Sequence, residues 1–155
     1  MRLSDFISKR LINLNLQAKG KKETLEELTD LLARQRIIPD REKMVNVLLE
    51  RESLGSTGVG NGIAIPHTKT DLVKKITIVF GKSEKGIDFD SLDKNPVYLV
   101  FLIIAPEEAY ETYLRVLARI SRLLHEEKIR KGLRAAQSPR QVINLIRKEE
   151  KEAEE

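Results

Sequence analysis

From Val97 to Ile104 the chain reads Val-Tyr-Leu-Val-Phe-Leu-Ile-Ile, without a single charge. A half-exposed strand would alternate apolar with polar residues, and this run does not. It is the pattern of a strand covered on both faces. Such a strand demands helices above and below its sheet, which makes three layers. Pro106 stops it. Even extended to Ala105 the run is far too short to cross a bilayer as a helix, which takes about 20 residues.

The rest of the chain supplies those helices. Residues 4–8 suit a short helical turn. Ile12, Leu14 and Leu16 alternate with Asn13, Asn15 and Gln17, the period of a half-buried strand. Leu25, Leu28, Leu31 and Leu32 fall at helical spacing. Asp40 can cap a second helix that turns Met44, Val45, Leu48 and Leu49 inward. Ile76 to Phe80 is a further strand. After Pro106 comes a long amphipathic helix with Tyr110, Leu114, Leu117, Ile120, Leu123 and Leu124 placed inward, then a shorter helix around Ile129 and Leu133. Ser138-Pro139-Arg140-Gln141 opens a last helix, docked by Val142, Leu145 and Ile146. The order is strand, two helices, three or four strands, three helices. This pattern predicts a three-layer α/β/α sandwich with a mixed central sheet, not a regularly alternating doubly wound fold. One domain over residues 1–147 is expected, followed by a charged tail, 148–155, as a fraying helix end.

Composition narrows the function classes. No cysteine occurs among the 155 residues, which excludes a thiolate metal site and a cysteine nucleophile and fits a reducing cytoplasm. The N-terminus has no apolar core of signal-peptide length. A cytoplasmic protein without membrane insertion is expected. The net charge of +4 arises from charges that alternate in sign, as in Lys21, Lys22, Glu23, Glu26 and Glu27. No basic stripe is interleaved with aromatics, so nucleic-acid binding is not expected.

The stretch Gly55-Ser56-Thr57-Gly58-Val59-Gly60-Asn61-Gly62 is the feature that needs explaining. Four glycines in eight residues make either a flexible surface loop or a backbone that approaches an anion closely. It is no dinucleotide fingerprint, since Ile63 stands where a third glycine is required. Gly81-Lys82-Ser83 is no Walker loop, since Ile76 stands at the earlier glycine. His67 follows directly, after Pro66, whose ring stiffens the segment that displays it. A neutral imidazole is a good nucleophile near pH 7, and its phosphoramidate is labile enough to pass the group on. The other histidine, His125, is read as a helix-end residue favourable to the dipole. Two histidines without cysteine, without a zinc-binding helix motif and without clustered aspartates give no metal site. Arg51, near the end of the second helix, is either a surface ion-pair partner or a guanidinium placed to neutralise a phosphoryl group.

From Gly55 to His67 the chain resembles the enzyme IIA family of the fructose, mannitol and nitrogen-regulatory type. The resemblance rests on LLERESLGSTGVGNGIAIPH (48–67), IVFGKSEKGIDFDSLDKNPVYLVFLIIAPE (78–107) and RAAQSP (134–139). Within the first, the element GxGxGIAIPH is specific in length and position. The phrasing from Asp71 to Glu107 is most similar to the fructose-specific branch. The resemblance implies that His67 is phosphorylated by the phosphocarrier HPr and passes the group to a cysteine of an enzyme IIB domain, with no cofactor and no metal. It implies a supporting role for Arg51 beside the histidine. The amides of Gly60, Asn61 and Gly62, with Thr68, are the further expected phosphate contacts. Many members carry a second histidine near the active site, and Tyr113 stands at that position here. Tyr113 can donate a hydrogen bond to a phosphoryl oxygen but carries no positive charge. Tyr110, one turn earlier, competes for that place. The rival reading is a regulatory module in which phosphorylated His67 is a signal recognised by a partner.

Overall fold

The computed structural model describes residues 1–154. Six strands, β1 (Ile12–Asn13), β2 (Gly58–Gly60), β3 (Ile63–Ala64), β4 (His67–Lys69), β5 (Thr77–Ile87) and β6 (Val97–Ala105), form one sheet. Five helices surround it: α1 (Lys21–Arg34), α2 (Arg41–Ser53), α3 (Tyr110–His125), α4 (Glu127–Ala135) and α5 (Pro139–Glu154). The strand buried on both faces is β6, and only Tyr98 in it is not fully buried. It pairs antiparallel with β5, Phe80 against Phe101, and parallel with both β3 and β4 on its other edge. The sheet is therefore mixed, in the order β1-β5-β6-β3-β2.

Alternation along β5 and β6 sorts their side chains into two cores. Ile78, Phe80, Leu99, Phe101 and Ile103 meet Tyr113, Val116, Ile120, Leu124, Leu133, Val142 and Ile146 from α3, α4 and α5. Val79, Val100, Leu102 and Ile104 meet Leu25, Leu28, Leu32, Met44 and Leu48 from α1 and α2. Burying one such side chain fully is worth roughly 1.5–3 kcal/mol, so the two faces dominate stability. Gly81 lets α1 approach closely, because a Cβ there would lie 2.6 Å from Leu16 Cδ1 and 2.9 Å from Leu28 Cδ2.

Local signals act as read at both capped helices. Asp40 accepts from the Lys43 amide at 3.1 Å. Ser138 Oγ accepts from the Gln141 amide at 3.2 Å, while Gln141 Oε1 reaches back to the Gln137 amide at 2.7 Å. Elsewhere the structure departs from expectation. The period-two run at residues 12–17 yields only the two-residue β1, with one more tie to β5 from the Leu16 amide to the Lys82 carbonyl, 2.9 Å. Five short or long strands, not three or four, follow α2. The inward face of α3 is Tyr113, Val116, Ile120 and Leu124, whereas Tyr110 and Leu114 are 46% and 45% exposed. The apolar stripe is wide enough to accept either rotation, and docking on β6 selects the one that buries Tyr113 and Val116. The charged tail continues α5. Its Glu150 is buried and accepts the Leu3 amide at 2.8 and 3.0 Å, with Arg119 3.6 Å away. Arg119 also donates to the Met1 carbonyl at 2.6 Å. Glu155 lies outside the described residues.

One buried cation went unread in the sequence. Lys82, on β5, donates through Nζ to the carbonyls of Arg134 (3.0 Å) and Ala136 (2.6 Å). It thereby closes the C-terminal end of α4, where carbonyls lack helical partners.

Candidate functional site

Pro66 ends the sheet-bound segment Ile63–Ile65, and β4 starts at His67, set against Ile103 of β6. The Pro66 carbonyl accepts the Ile103 amide at 2.9 Å, so the backbone that carries His67 is anchored to the central strand. The half-buried imidazole turns back on its own chain, and its Nδ1 lies 2.6 Å from the Ile65 carbonyl oxygen. A carbonyl only accepts, so in the neutral ring this bond places the proton on Nδ1 and the lone pair on Nε2.

Two other residues named from the sequence converge on it. The Tyr113 ring lies 6.3 Å from the His67 ring, tilted by 45°. Burial pushes the Tyr113 hydroxyl pKa up to about 12, and the positive charge of Arg51 pulls against that shift. Arg51, in the last turn of α2, donates to the Gly55 carbonyl at 3.4 Å. Tyr113 is therefore buried beside His67 and within the field of Arg51, while Tyr110 faces outward.

The glycine stretch divides in two. Gly60, Asn61 and Gly62 make the tight turn between β2 and β3, with φ of 99°, 57° and 76°. Positive φ at both Asn61 and Gly62 is the hairpin geometry that asparagine and glycine favour. Ile63 lies against Leu99 and His67 against Ile103, so the turn is roughly 13 Å or more from His67 at about 3.3 Å per residue. Asp93 covers that turn, and its carboxyl is held below the usual range by the Asn95 amide first and by the Asn61 amide among lesser partners. This spacing does not support a contact between these three amides and a group on His67. The other half leads from α2 into β2. The Thr57 carbonyl accepts the Ile65 amide at 2.9 Å, and the Gly55 carbonyl accepts from Arg51 at 3.4 Å. Thr68 also lies off the His67 side of β4. Neighbours on a strand point to opposite faces, and the Thr68 hydroxyl contacts the Lys69 carbonyl at 3.4 Å.

Lys69 was not singled out from the sequence. It shares the His67 side of β4 and lies over the Tyr110 ring at 4.2 Å, 3.8 Å from Glu107. Strand alternation, i to i+2, was the available signal. His125 is exposed at the far end of α3, and its carbonyl accepts from Arg130 at 2.8 Å. Among the described residues no group of three His, Cys, Asp or Glu could hold a metal ion, and no helix is long and apolar enough to cross a membrane.

Residues 5–149 match the family model described as "Phosphoenolpyruvate-dependent sugar phosphotransferase system, EIIA 2". The chain belongs to this enzyme IIA family. It is 40% identical over 136 residues to the "PTS system fructose-specific EIIA component" of Haloferax volcanii, covering 88% of each chain. It is equally 40% identical over 147 residues to the "Nitrogen regulatory protein" of Bradyrhizobium diazoefficiens, covering 94% of this chain and 95% of that one. Against the Bacillus subtilis "PTS system fructose-specific EIIABC component" the identity is 41%, but this enzyme IIA chain spans only about a quarter (24%) of that protein's length. The crystal structure of nitrogen regulatory protein IIA-Ntr from Neisseria meningitidis superposes with a TM-score of 0.87 at 31% identity, over 93% of this chain and 98% of that chain. The enzyme IIA fold, a mixed sheet with helices on both sides, is that of the family.

Proposed function

We propose that this enzyme IIA carries a phosphoryl group on Nε2 of His67, taking it from phospho-HPr and passing it to a cysteine of an enzyme IIB domain for uptake of a fructose-type sugar. The observation that carries the reading is the Nδ1 bond to Ile65, which makes Nε2 the nucleophilic nitrogen of the neutral ring. The Nε2 lone pair attacks phosphorus in line. The phosphorus–nitrogen bond to the donor breaks, and its electron pair goes to the departing imidazole, which leaves neutral from its protonated form. Arg51 neutralises charge on the phosphoryl oxygens, and the Tyr113 hydroxyl donates to one of them. No metal or cofactor is needed, because the donor is itself a high-energy phosphohistidine. Leu54, just past α2, and Tyr110 and Leu114 on α3 are exposed apolar side chains suited to a protein partner. The proposed location is the cytoplasm.

The test is incubation with phosphoenolpyruvate, enzyme I and HPr, followed by intact mass and phosphorus NMR. One phosphoryl group on His67 is expected, and an unlabelled protein in a relay active on another enzyme IIA overturns the reading. A second reading has its own support, the near end-to-end match to nitrogen regulatory proteins. In it the same phosphorylation of His67 controls binding to a regulatory partner. Transfer onward to an enzyme IIB separates the two.

A further inference from the structure

Glu52 follows Arg51 in the last turn of α2, and its side chain is only 3% exposed. A carboxylate there lies at the negative end of the helix dipole and out of water, and both effects oppose it. An apolar residue of similar volume would fill the space at lower cost. What the carboxylate does instead is specific. It lies 3.2 Å from Lys21 Nζ, accepts the Thr57 amide at 3.2 Å and accepts the Thr57 hydroxyl. Its backbone carbonyl accepts the Gly55 amide at 3.1 Å. One residue thus closes the turn 52–57 twice, and Lys21 ties the turn onward to Asp90 at 3.3 Å.

Both halves of the candidate site hang from this turn. Arg51 precedes Glu52 and donates to Gly55 within the turn. Thr57 leaves the turn and accepts the Ile65 amide, and the Ile65 carbonyl in turn holds the His67 ring. We infer that Glu52 is a positioning residue for phosphoryl transfer: its clamp on Thr57 sets the distance between the Arg51 guanidinium and His67. The inference rests on the phosphoryl-transfer reading above. Glu52 touches no reacting atom and acts through Arg51.

Glu52→Gln keeps the shape and one acceptor but loses the charge that binds Lys21. Thr57→Val removes the hydroxyl from the other side of the clamp. Each variant should slow single-turnover phosphorylation by phospho-HPr by about tenfold to a hundredfold, since roughly 1 Å of misplacement costs that much. KM for the donor should change little. Partial unfolding would instead lower the amplitude and leave the rate intact. In an Arg51→Ala background neither substitution should slow transfer further, because both routes remove the same contact. An unchanged rate for both single variants, or losses that multiply with Arg51→Ala, would overturn the inference. A second measurement needs no donor. The His67 ring signal in nitrogen–proton NMR should shift in the same direction in Glu52→Gln, Thr57→Val and Arg51→Ala, with no added shift in the double variants. If the wild-type protein takes no phosphate, the transfer reading fails, and shifts that are independent and additive would overturn the clamp as well.

Discussion

At the scale of the residue, His67 was legible because chemistry and setting agree: a stiff Pro66, a strand start and a nucleophilic ring. His67→Ala should gain no phosphate in the relay, whereas His125→Ala, altered about 18 Å along α3 from Tyr113 by helical rise, should label at the normal rate. Intact mass reads both. Tyr113 was legible as a position but not as an environment. Its hydroxyl pKa, pushed up to about 12 by burial, makes it a neutral donor across the working pH range. The unfolded chain's tyrosine ionises near 10 and the folded one near 12, so between these values the native state holds the extra proton. Stability should therefore fall as pH rises from about 10 and level off above about 12. Tyr113→Phe should abolish that segment of the urea midpoint against pH. Tyr113→His restores a group able to carry charge, and it should raise the transfer rate or slow loss of phosphate relative to the wild-type protein. No change in either would show that the ring position makes no use of charge.

At the scale of the element, periodicity located every helix and the two long strands but not their rotation or extent. The stripe on α3 contains apolar residues on both borders, so only its docking against Phe101 and Ile103 decides that Tyr113 faces in and Leu114 faces out. The run at residues 12–17 alternates cleanly, yet one short stretch beside β5 is all the sheet edge accommodates. The glycine stretch reads in sequence as one feature, although a hairpin turn and the loop joining α2 to β2 make different demands on glycine. Pairing register separates them, and register depends on β6, more than thirty residues later in the chain. Lys82 was illegible for a similar reason, since besides Glu84 at 3.4 Å its partners are carbonyls of Arg134 and Ala136, and carbonyls have no sequence signature. Lys82→Met should leave those carbonyls unsatisfied and cost roughly 1–3 kcal/mol, measured by urea unfolding, with transfer at His67 unaffected at temperatures where the variant is folded.

At the scale of the whole molecule, the proposed docking points for a partner are exposed apolar side chains near Arg51 in sequence and on the helix that carries Tyr113. Leu54, just past the end of α2, is 82% exposed, and Leu114 on α3 is 45% exposed. Leu54→Asp and Leu114→Asp lie outside the cores, so the thermal midpoint should hold while KM for phospho-HPr rises by roughly tenfold, as expected when apolar area leaves a docking surface. An unchanged KM for both would place the partner elsewhere. The other end of the story lies in Glu150, whose carboxylate grips the Leu3 amide while Arg119 holds the Met1 carbonyl. The start of the chain and its final helix are therefore neighbours. A fold whose two ends leave side by side behaves as a cartridge: one short bridge could join them and the chain be cut open at another loop. It could equally be spliced into a longer polypeptide as a closed loop, with its histidine still presented at the same place.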